Sequence, residues 1–320
     1  MASGFGKADI VERLYVVGHP VSHSKSPAMH NAAYRELGLP WEYGLMDIED
    51  ADEALRFMQS AGFLALNVTT PFKPLALQAA ARSTLAARLS GGANLLVRTD
   101  DGLVADNVDG AGCVAYLERR GVSFPGARVA VCGTGPTALA IVHAVLAAGA
   151  SRVSLAGRDA RRTADARDRY LDVLGRLDSS EAAAPLAGGG ADGADLADAP
   201  TRLRAFDYAS AADDLAAADL VVDATSLGMH AQDPAPFDTA LLSSGQTVFD
   251  VVYGHGETAL VRAARQAGCR AFDGEGMLVA QAECGLRGIA AASGRAVDFG
   301  KLDLFGTMAQ AAGFVALASA

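Results

Sequence analysis

Short apolar runs alternate with amphipathic stretches through the first third of the chain. Strand-like runs lie at Leu14–Gly18 and Phe63–Thr69, and a stretch with helical periodicity follows the first of them. Ser26 is predicted as the N-cap of that helix because Pro27, which suits the first helical position, comes directly after it. This alternation predicts an α/β unit.

Two further strand-like runs, Gly92–Arg98 and Leu103–Asp106, are separated by a short turn-forming stretch. They predict a hairpin that closes the first sheet. Asp109 is predicted as the N-cap of the next helix, which continues to about Arg120 and ends in a segment with Pro and Gly.

The pattern restarts at Arg128 as strand, glycine turn, helix and strand, which is a βαβ unit and implies a parallel sheet. Further strands are predicted at Leu220–Ala224 and Gln246–Val252, and a final helical region begins after Gly276. The stretch from Gly175 to Pro200 is rich in Ala, Gly, Asp and Ser without periodicity, which predicts an insertion or mobile loop.

These elements predict two α/β domains, residues 1–108 and residues 109–275, the second of which carries the insertion at 175–200. The helices of residues 276–320 are expected to pack back on the first domain.

Composition narrows the range of partners. The chain has 27 Lys and Arg against 37 Asp and Glu, a net charge of −10, so it lacks the basic surface that nucleic acid or an anionic membrane would require. A small-molecule substrate is the better expectation. The four cysteines are far apart and the histidines show no metal-ligand spacing, which predicts a reduced cytoplasmic protein without a metal. No secretory signal or membrane span is expected.

A glycine-rich turn follows the strand that begins at Arg128 and opens the next helix. It contains Gly133, Thr134, Gly135, Pro136 and Thr137. Glycines let the backbone turn tightly and approach a pyrophosphate, which then rests on the N–H groups of the helix start. In this context the pattern is typical of a dinucleotide-binding fingerprint, whereas the plainer alternative is an ordinary strand–helix turn.

The second strand of this unit ends in Gly157, Arg158 and Asp159, where such domains contact the adenosine ribose. Arg158 and Arg162 suit the 2′-phosphate of NADP, while Asp159 suits the free ribose hydroxyl of NAD. If Asp159 turns toward the helix N–H groups, the arginines favour NADP. The alternative is a solvated helix start with no ligand.

Polar residues near the N-terminus form two further candidate groups. Ser24 and Ser26 precede a helix, and their hydroxyls could hold a small carboxylate, although a plain helix cap is the simpler interpretation from the residues alone. Asn67 and Thr69 share one face of a strand, and Lys73 follows that strand.

Lys73 and Asp106 together suggest a proton-transfer pair. Oxidation of an alcohol by a nicotinamide requires a hydroxyl proton to leave as the hydride departs, and a positioned amine or carboxylate can accept it. Taken separately, Lys73 could be a surface residue and Asp106 part of a turn.

The motif set as a whole resembles the shikimate dehydrogenase family, which includes quinate/shikimate dehydrogenases. The motifs occur in the family's order and read VVGHPVSHSKSPAMHN, ALNVTTPFK, SGGANLLV, ADNVDGAG, VCGTGPTA, DATSLGM, DVVYGHGET and DGEGMLVAQA.

This resemblance implies two α/β domains with a cleft between them, in which residues 1–108 would form a substrate-binding and catalytic domain and residues 109–275 a Rossmann-like domain that binds NAD or NADP. It also implies the reversible, NADP-dependent reduction of 3-dehydroshikimate to shikimate, a reaction of aromatic amino acid biosynthesis. Lys73 and Asp106 match the catalytic pair. The residues that match the substrate site are Ser24, Ser26, Asn67, Thr69, Asn94, Tyr253 and Gln281. Val251 and Gly274 lie where the family contacts the nicotinamide half.

Departures from the family pattern keep alternatives open. Where the family commonly has Asn-Arg-Thr, this chain has Gly157, Arg158 and Asp159. Where the family commonly has a Thr in its Asp-Asn-Thr-Asp-Gly motif, this chain has Val108. The alternatives are a dehydrogenase that prefers NAD and acts on quinate or an aminated analogue, and a non-catalytic nucleotide-binding regulatory module. The retention of both Lys73 and Asp106 argues against the module, because a sensor does not need a proton relay. A monomer or a homodimer is expected.

Overall fold

The computed structural model describes residues 11–176, 186, 196–294, 296–300 and 302–318. Within them the chain forms two six-stranded sheets with helices on their faces, one built from the first third of the sequence and the other from the middle. The two-domain α/β fold predicted from the sequence is confirmed. The domain boundary at residue 108 stays a prediction.

The first sheet is mixed. Its strands are β1 Glu12–Gly18, β2 Trp41–Asp47, β3 Ala65–Val68, β4 Arg82–Ser83, β5 Leu95–Thr99 and β6 Gly102–Asp106. They lie in the order β2-β1-β3-β5-β6-β4, with β5 antiparallel to both β3 and β6. The predicted hairpin is present as β5 and β6, but it does not close the sheet. The two-residue strand β4 pairs with β6 and forms the edge.

The helices of this part connect and cover its strands. They are α1 Ser26–Glu36, α2 Ala51–Gln59, α3 Lys73–Ala79, α4 Leu85–Ser90 and α5 Asp109–Arg119. Two predicted caps are displaced by one residue, because α1 is preceded by Lys25 and α5 by Val108. Ser26 and Asp109 are therefore the first residues of their helices.

The second sheet is fully parallel. Its strands are β7 Arg128–Cys132, β8 Arg152–Gly157, β9 Leu203–Asp207, β10 Leu220–Asp223, β11 Thr247–Asp250 and β12 Arg270–Phe272. Their order, β12-β11-β10-β7-β8-β9, reverses direction between β7 and β10, which is the doubly wound arrangement that places a ligand crevice at the carboxyl ends of those two strands.

Helices accompany the second sheet, namely α6 Pro136–Ala147, α7 Ala160–Arg176, α8 Ala199–Arg202, α9 Ala212–Ala217 and α10 Ala259–Gln266. Helix α6 is apolar along most of its length and is buried around most of its circumference, because it packs on the sheet and on α4 and α5. Most of the insertion predicted at 175–200 lies outside the described residues.

The chain ends in three helices, α11 Glu275–Ala292, α12 Leu304–Ala312 and α13 Val315–Ala318. Helix α11 packs along α5 and reaches β5, and α12 packs on α1. The C-terminal helices thus contact α1, α5 and β5.

Helix α5 passes very close to two neighbouring helices. A Cβ atom at Gly110 would lie 2.1 Å from the carbonyl oxygen of Ala140 on α6, and one at Gly112 would lie 2.5 Å from Cβ of Gln281 on α11. Real Cβ atoms do not approach so closely. Glycine is therefore required at both positions, where α5 lies directly against α6 and α11.

Candidate active site

Lys73 is placed by the end of strand β3. The chain leaves β3 at Val68, passes a cis peptide bond between Thr70 and Pro71, and begins α3 at Lys73. Because the side chain of Lys73 is only 13% exposed, its amine must find partners inside the protein.

Three side chains meet at this amine. Lys73 Nζ lies 2.5 Å from Asp109 Oδ2 and donates to Thr137 Oγ1 at 2.8 Å. The Thr137 hydroxyl in turn donates to Asp109 Oδ2 at 2.9 Å. Lys73 begins α3, Asp109 begins α5 and Thr137 is the second residue of α6, so the cluster joins helix starts from both halves of the molecule.

The predicted pairing of Lys73 with Asp106 is not formed. Asp106 Oδ1 accepts hydrogen bonds of 2.7 Å from the Thr84 hydroxyl and from the backbone N–H of Asn107. Asp106 ends strand β6, whereas Asp109 lies three residues later, where the chain has turned into α5. The carboxylate beside Lys73 is that of Asp109, which sequence analysis interpreted only as a helix cap although it belongs to the same motif.

Two asparagines orient Asp109. Asn94 Nδ2 donates to Asp109 Oδ1 at 2.7 Å, and the backbone N–H of Asp109 donates to Asn107 Oδ1 at 3.1 Å. The Asn94 amide is itself oriented, because its Oδ1 accepts the N–H of Val108 at 2.9 Å. Both carboxylate oxygens of Asp109 are therefore bonded, which supports a charged carboxylate next to the ammonium.

The side chain of Tyr253 lies near this carboxylate. Burial raises the pKa of the Tyr253 phenol, and the charge of Asp109 raises it further. Tyr253 therefore stays protonated at neutral pH and can donate a hydrogen bond.

The predicted substrate residues Ser26 and Asn67 are connected through Tyr43. The Tyr43 hydroxyl donates to Asn67 Oδ1 at 2.8 Å, and burial raises the pKa of Tyr43 while a bond with Ser26 opposes the shift. Ser24 Oγ accepts the N–H of Ser26 at 3.3 Å. Sequence analysis missed Tyr43, because an alternating tyrosine on a strand is indistinguishable from a core residue.

Thr69 lies directly after strand β3, close to Gly18 at the end of β1. Its backbone N–H donates to Val17 O at 2.9 Å, so it continues the pairing of β3 with β1. Asn67 and Thr69 therefore lie at the carboxyl end of β3, in the segment of chain that leads to Lys73.

The glycine turn between β7 and α6 has the shape that a dinucleotide needs. Gly133 has φ of +116°, and a Cβ there would lie 2.8 Å from Ala224 O at the end of β10. A Cβ at Gly135 would meet nothing within 4 Å, so open space adjoins the start of α6. The turn thus leaves room for a phosphate at a helix N-terminus.

Pro136 and Thr137 at the start of α6 face the first half of the molecule. A Cβ at Gly92 would lie 2.9 Å from Cβ of Pro136, so the loop after α4 packs directly on this proline. Thr137 was predicted to contact the cofactor, but its hydroxyl is engaged by Lys73 and Asp109. Thr134 remains on the turn, near Gly157.

The end of strand β8 holds the residues predicted to contact the ribose. Asp159 Oδ1 accepts the backbone N–H of Arg162 at 2.9 Å and so caps α7. Arg158 and Arg162 are exposed. A Cβ at Gly157 would lie 2.5 Å from Thr163 Oγ1, so only glycine allows this strand to approach α7.

The remaining predicted residues are Val251, Gly274 and Gln281. Val251 and Gly274 touch each other, because a Cβ at Gly274 would lie 2.0 Å from Val251 O. Gln281 packs on Gly112 of α5, and its Nε2 donates to Leu278 O at 3.0 Å.

Two buried carboxyl groups lie next to each other at the carboxyl ends of β10 and β11. Asp223 and Asp250 are register partners and are 1% and 0% exposed. Asp250 Oδ2 accepts the Thr258 hydroxyl at 2.7 Å, whereas Asp223 Oδ2 is buried without a hydrogen-bond partner among the described residues. Burial, followed by the charge of Asp250, raises the pKa of Asp223 to about 7. Sequence analysis did not single out this pair.

The described part of the chain contains no cluster of His, Cys, Asp or Glu that could hold a metal ion. Across those same residues, no helix combines the length and the apolar character that a membrane span requires.

Comparison with known proteins gives consistent matches. A family model described as the shikimate dehydrogenase substrate binding domain matches residues 16–96. A shikimate dehydrogenase (NADP(+)) from Rubrobacter xylanophilus is 37% identical over 270 residues, which cover 83% of this chain and 86% of that protein.

Two solved structures extend the similarity to the fold. Shikimate 5-dehydrogenase from Thermus thermophilus, in complex with NADP(H) and shikimate, has a TM-score of 0.72 at 25% identity and covers 95% of this chain and 100% of its own. Quinate dehydrogenase from Corynebacterium glutamicum, in complex with NAD, has a TM-score of 0.73 at 26% identity, with coverages of 96% and 99%.

Proposed function

Because the chain belongs to the shikimate dehydrogenase family, we propose that it catalyses the reversible, NADP-dependent reduction of 3-dehydroshikimate to shikimate. The observation that carries this proposal is the Lys73–Asp109 pair, held by Asn94 beside the start of α6. A regulatory module has no need of such a pair. The reaction belongs to aromatic amino acid biosynthesis, and we propose a cytoplasmic enzyme that is monomeric or homodimeric and requires no metal.

The protein's part in the reaction is proton transfer and orientation. NADPH supplies the hydride that reduces the ketone carbon. The ketone oxygen must gain a proton in the same reaction, and the Lys73 ammonium beside the Asp109 carboxylate is the positioned source. Asn94 keeps Asp109 aligned, and the low exposure of both charged groups excludes water that would compete for the proton.

Substrate recognition is proposed for the polar residues around this pair. Ser24 and Ser26 are proposed to bind the carboxylate, because the start of α1 offers hydroxyls together with a positive helix end. The proposed contacts with the ring hydroxyls and the rest of the substrate are Asn67, Thr69, Asn94, Tyr253 and Gln281.

Replacing either serine by alanine is expected to raise the KM for shikimate more than the KM for the cofactor. A hydrogen bond to a charged group contributes roughly 1.5–3 kcal/mol, which corresponds to roughly a tenfold or larger rise in KM. Ser26 does not cap α1, but it is buried and bonds Tyr43, so its loss should also lower thermal stability and unfolding is measured beside the kinetics. Steady-state kinetics with each substrate varied separately test this, and an unchanged shikimate KM in both variants would assign the serines a purely structural role.

The cofactor is proposed to be NADP. The guanidinium groups of Arg158 and Arg162 are exposed, whereas the Asp159 carboxylate accepts a backbone hydrogen bond. Asp159 caps α7, which directs its charge to the helix and leaves the 2′-phosphate to Arg158 and Arg162. Gly133 and Gly135 are proposed to hold the pyrophosphate, and Val251 and Gly274 the nicotinamide half.

We expect a higher kcat/KM with NADP than with NAD, and a selective loss of the NADP value in Arg158→Ala. The preference should weaken as salt is added, because exposed arginine contacts are screened. Asp159→Ala serves as the comparison variant. A wild-type preference for NAD that Asp159→Ala shifts toward NADP would show that the carboxylate governs the choice.

A matrix of kcat/KM values for shikimate, quinate and an aminated analogue with both cofactors tests the proposal as a whole. The expected maximum is shikimate with NADP. A maximum at quinate with NAD would favour the quinate-dehydrogenase alternative, and cofactor binding without turnover of any substrate would favour the regulatory module.

A further inference from the structure

We propose that Thr137 is a positioning residue. Its hydrogen bonds hold the Lys73–Asp109 pair in place only while the half with the parallel sheet is closed against the half with the mixed sheet. This inference rests on the proposed function, in which that pair transfers the proton. It reassigns a residue whose position at the start of α6 would otherwise suggest contact with a phosphate.

The first argument is the hydrogen-bond polarity at the Thr137 hydroxyl. Its oxygen accepts from Lys73 Nζ at 2.8 Å, and its proton goes to Asp109 Oδ2 at 2.9 Å. These two directions are the ones that an ammonium, which only donates, and a carboxylate, which only accepts, require. A hydroxyl is both a donor and an acceptor, so it can also turn and donate to the amine once the ammonium has released its proton to the substrate oxygen. Valine in the same place could do neither.

The second argument is the position of Thr137 across the interface. Helix α6 belongs to the parallel sheet, while Lys73 follows β3 of the mixed sheet. The neighbouring Pro136 packs against Gly92, so the start of α6 touches the first half at two adjacent residues. The hydroxyl reaches Lys73 only when this contact is made. Separation of the two halves would remove a partner from the ammonium and one from the carboxylate at the same time.

The third argument is what surrounds the cluster. The charged and titratable groups that face it include Lys73, Asp109, Tyr253 and Cys113, and burial together with the charge of Asp109 raises the pKa of both Tyr253 and Cys113. Tyr253 and Cys113 therefore remain neutral near pH 7 and add no competing charge. The Thr137 hydroxyl accordingly bonds both charged members of the cluster directly.

Thr137→Val and Thr137→Ser test the proposal on the full chain. We expect Thr137→Val to lower kcat/KM for shikimate about 10- to 100-fold, the range expected from losing a hydrogen bond to a charged group. For the reduction of 3-dehydroshikimate, which uses the Lys73 ammonium and the Asp109 carboxylate, the pH profile of this variant should narrow from both sides, because the hydroxyl supports both charged groups. Thr137→Ser should restore the rate and the profile. An unchanged pH profile with a raised KM for the cofactor would overturn the proposal and indicate that Thr137 contacts a phosphate of the cofactor.

Acetylation of lysines by acetic anhydride, followed by peptide mass spectrometry, provides a measurement that does not depend on turnover. Lys25, exposed before α1, is the internal reference. Lys73 should react faster relative to Lys25 in Thr137→Val than in the wild type, and equal ratios would overturn the proposal. If Thr137→Val does not fold, Thr137→Ala gives the same comparison without crowding. A wild type inactive on shikimate, with the labelling difference intact, would reject the proposed function alone.

Discussion

Replacing Lys73 by alanine is expected to lower kcat by roughly 10²- to 10⁴-fold, the range for a lost general acid or base, with little change in the KM for shikimate. Asp109→Asn should produce a similar loss, because the amide removes the charge that faces the ammonium at 2.5 Å. The double variant should lose far less than the product of the single losses, since the two residues act as a unit. Steady-state kinetics of the three variants make the comparison.

Asp106→Asn is the matched control for Asp109→Asn, because both carboxyl groups are buried and lie three residues apart. Asp106 bonds the Thr84 hydroxyl and the Asn107 N–H instead of Lys73. Its substitution should therefore lower stability more than it lowers kcat. A loss of kcat in Asp106→Asn as large as in Asp109→Asn, with unchanged stability, would restore Asp106 as the partner of the lysine.

Asp223→Asn is expected to stabilise the protein at high pH. The pKa of Asp223 is raised from 3.8 to about 7, so ionising it in the folded state costs about 4 kcal/mol at 1.36 kcal/mol per pKa unit. This cost is absent below pH 4, grows as the pH rises from 4 to 7, and is complete above 7. Asparagine carries no charge at any of these pH values and removes the cost.

Urea unfolding of wild type and Asp223→Asn at pH 4 and pH 8 measures this effect. The variant should be several kcal/mol more stable at pH 8, by an amount on the order of the ionisation cost, and nearly equal to the wild type at pH 4. Asp219→Asn, which lies just before the same strand, provides a control of opposite sign because Arg128 lowers the pKa of Asp219. Equal stability differences at both pH values would contradict a buried, neutral Asp223.

The glycine turn after β7 could be predicted from the sequence because its signal is local. Strand β7, the turn at Gly133 and helix α6 are contiguous, so glycine spacing and periodicity are sufficient to identify them. The partner of Lys73 depends instead on where β6 ends and α5 begins. Asp106 and Asp109 are equally good carboxylates in the sequence, and only the turn of the chain decides which of them meets the amine.

Contacts between distant segments account for the other differences. The edge strand β4 has two residues and owes its existence to pairing with β6, so it has no periodicity to detect. The Thr137 contact joins residues 64 positions apart in the chain, and the pairing of Asp223 with Asp250 follows from strand order. None of these has a local signature in the sequence.

The glycine contacts of α5 limit how this enzyme can exchange parts with its relatives. Gly110 fits the carbonyl oxygen of Ala140 on α6, and Gly112 fits Gln281 on α11, without space for a single methyl group. A chimera divided between the two sheets would bring together helices from two parents at these surfaces, and any difference in their spacing would disturb how the half with the mixed sheet packs on the half with the parallel sheet. Recombination, in the laboratory or in evolution, must therefore transfer α5, α6 and α11 as one inherited block.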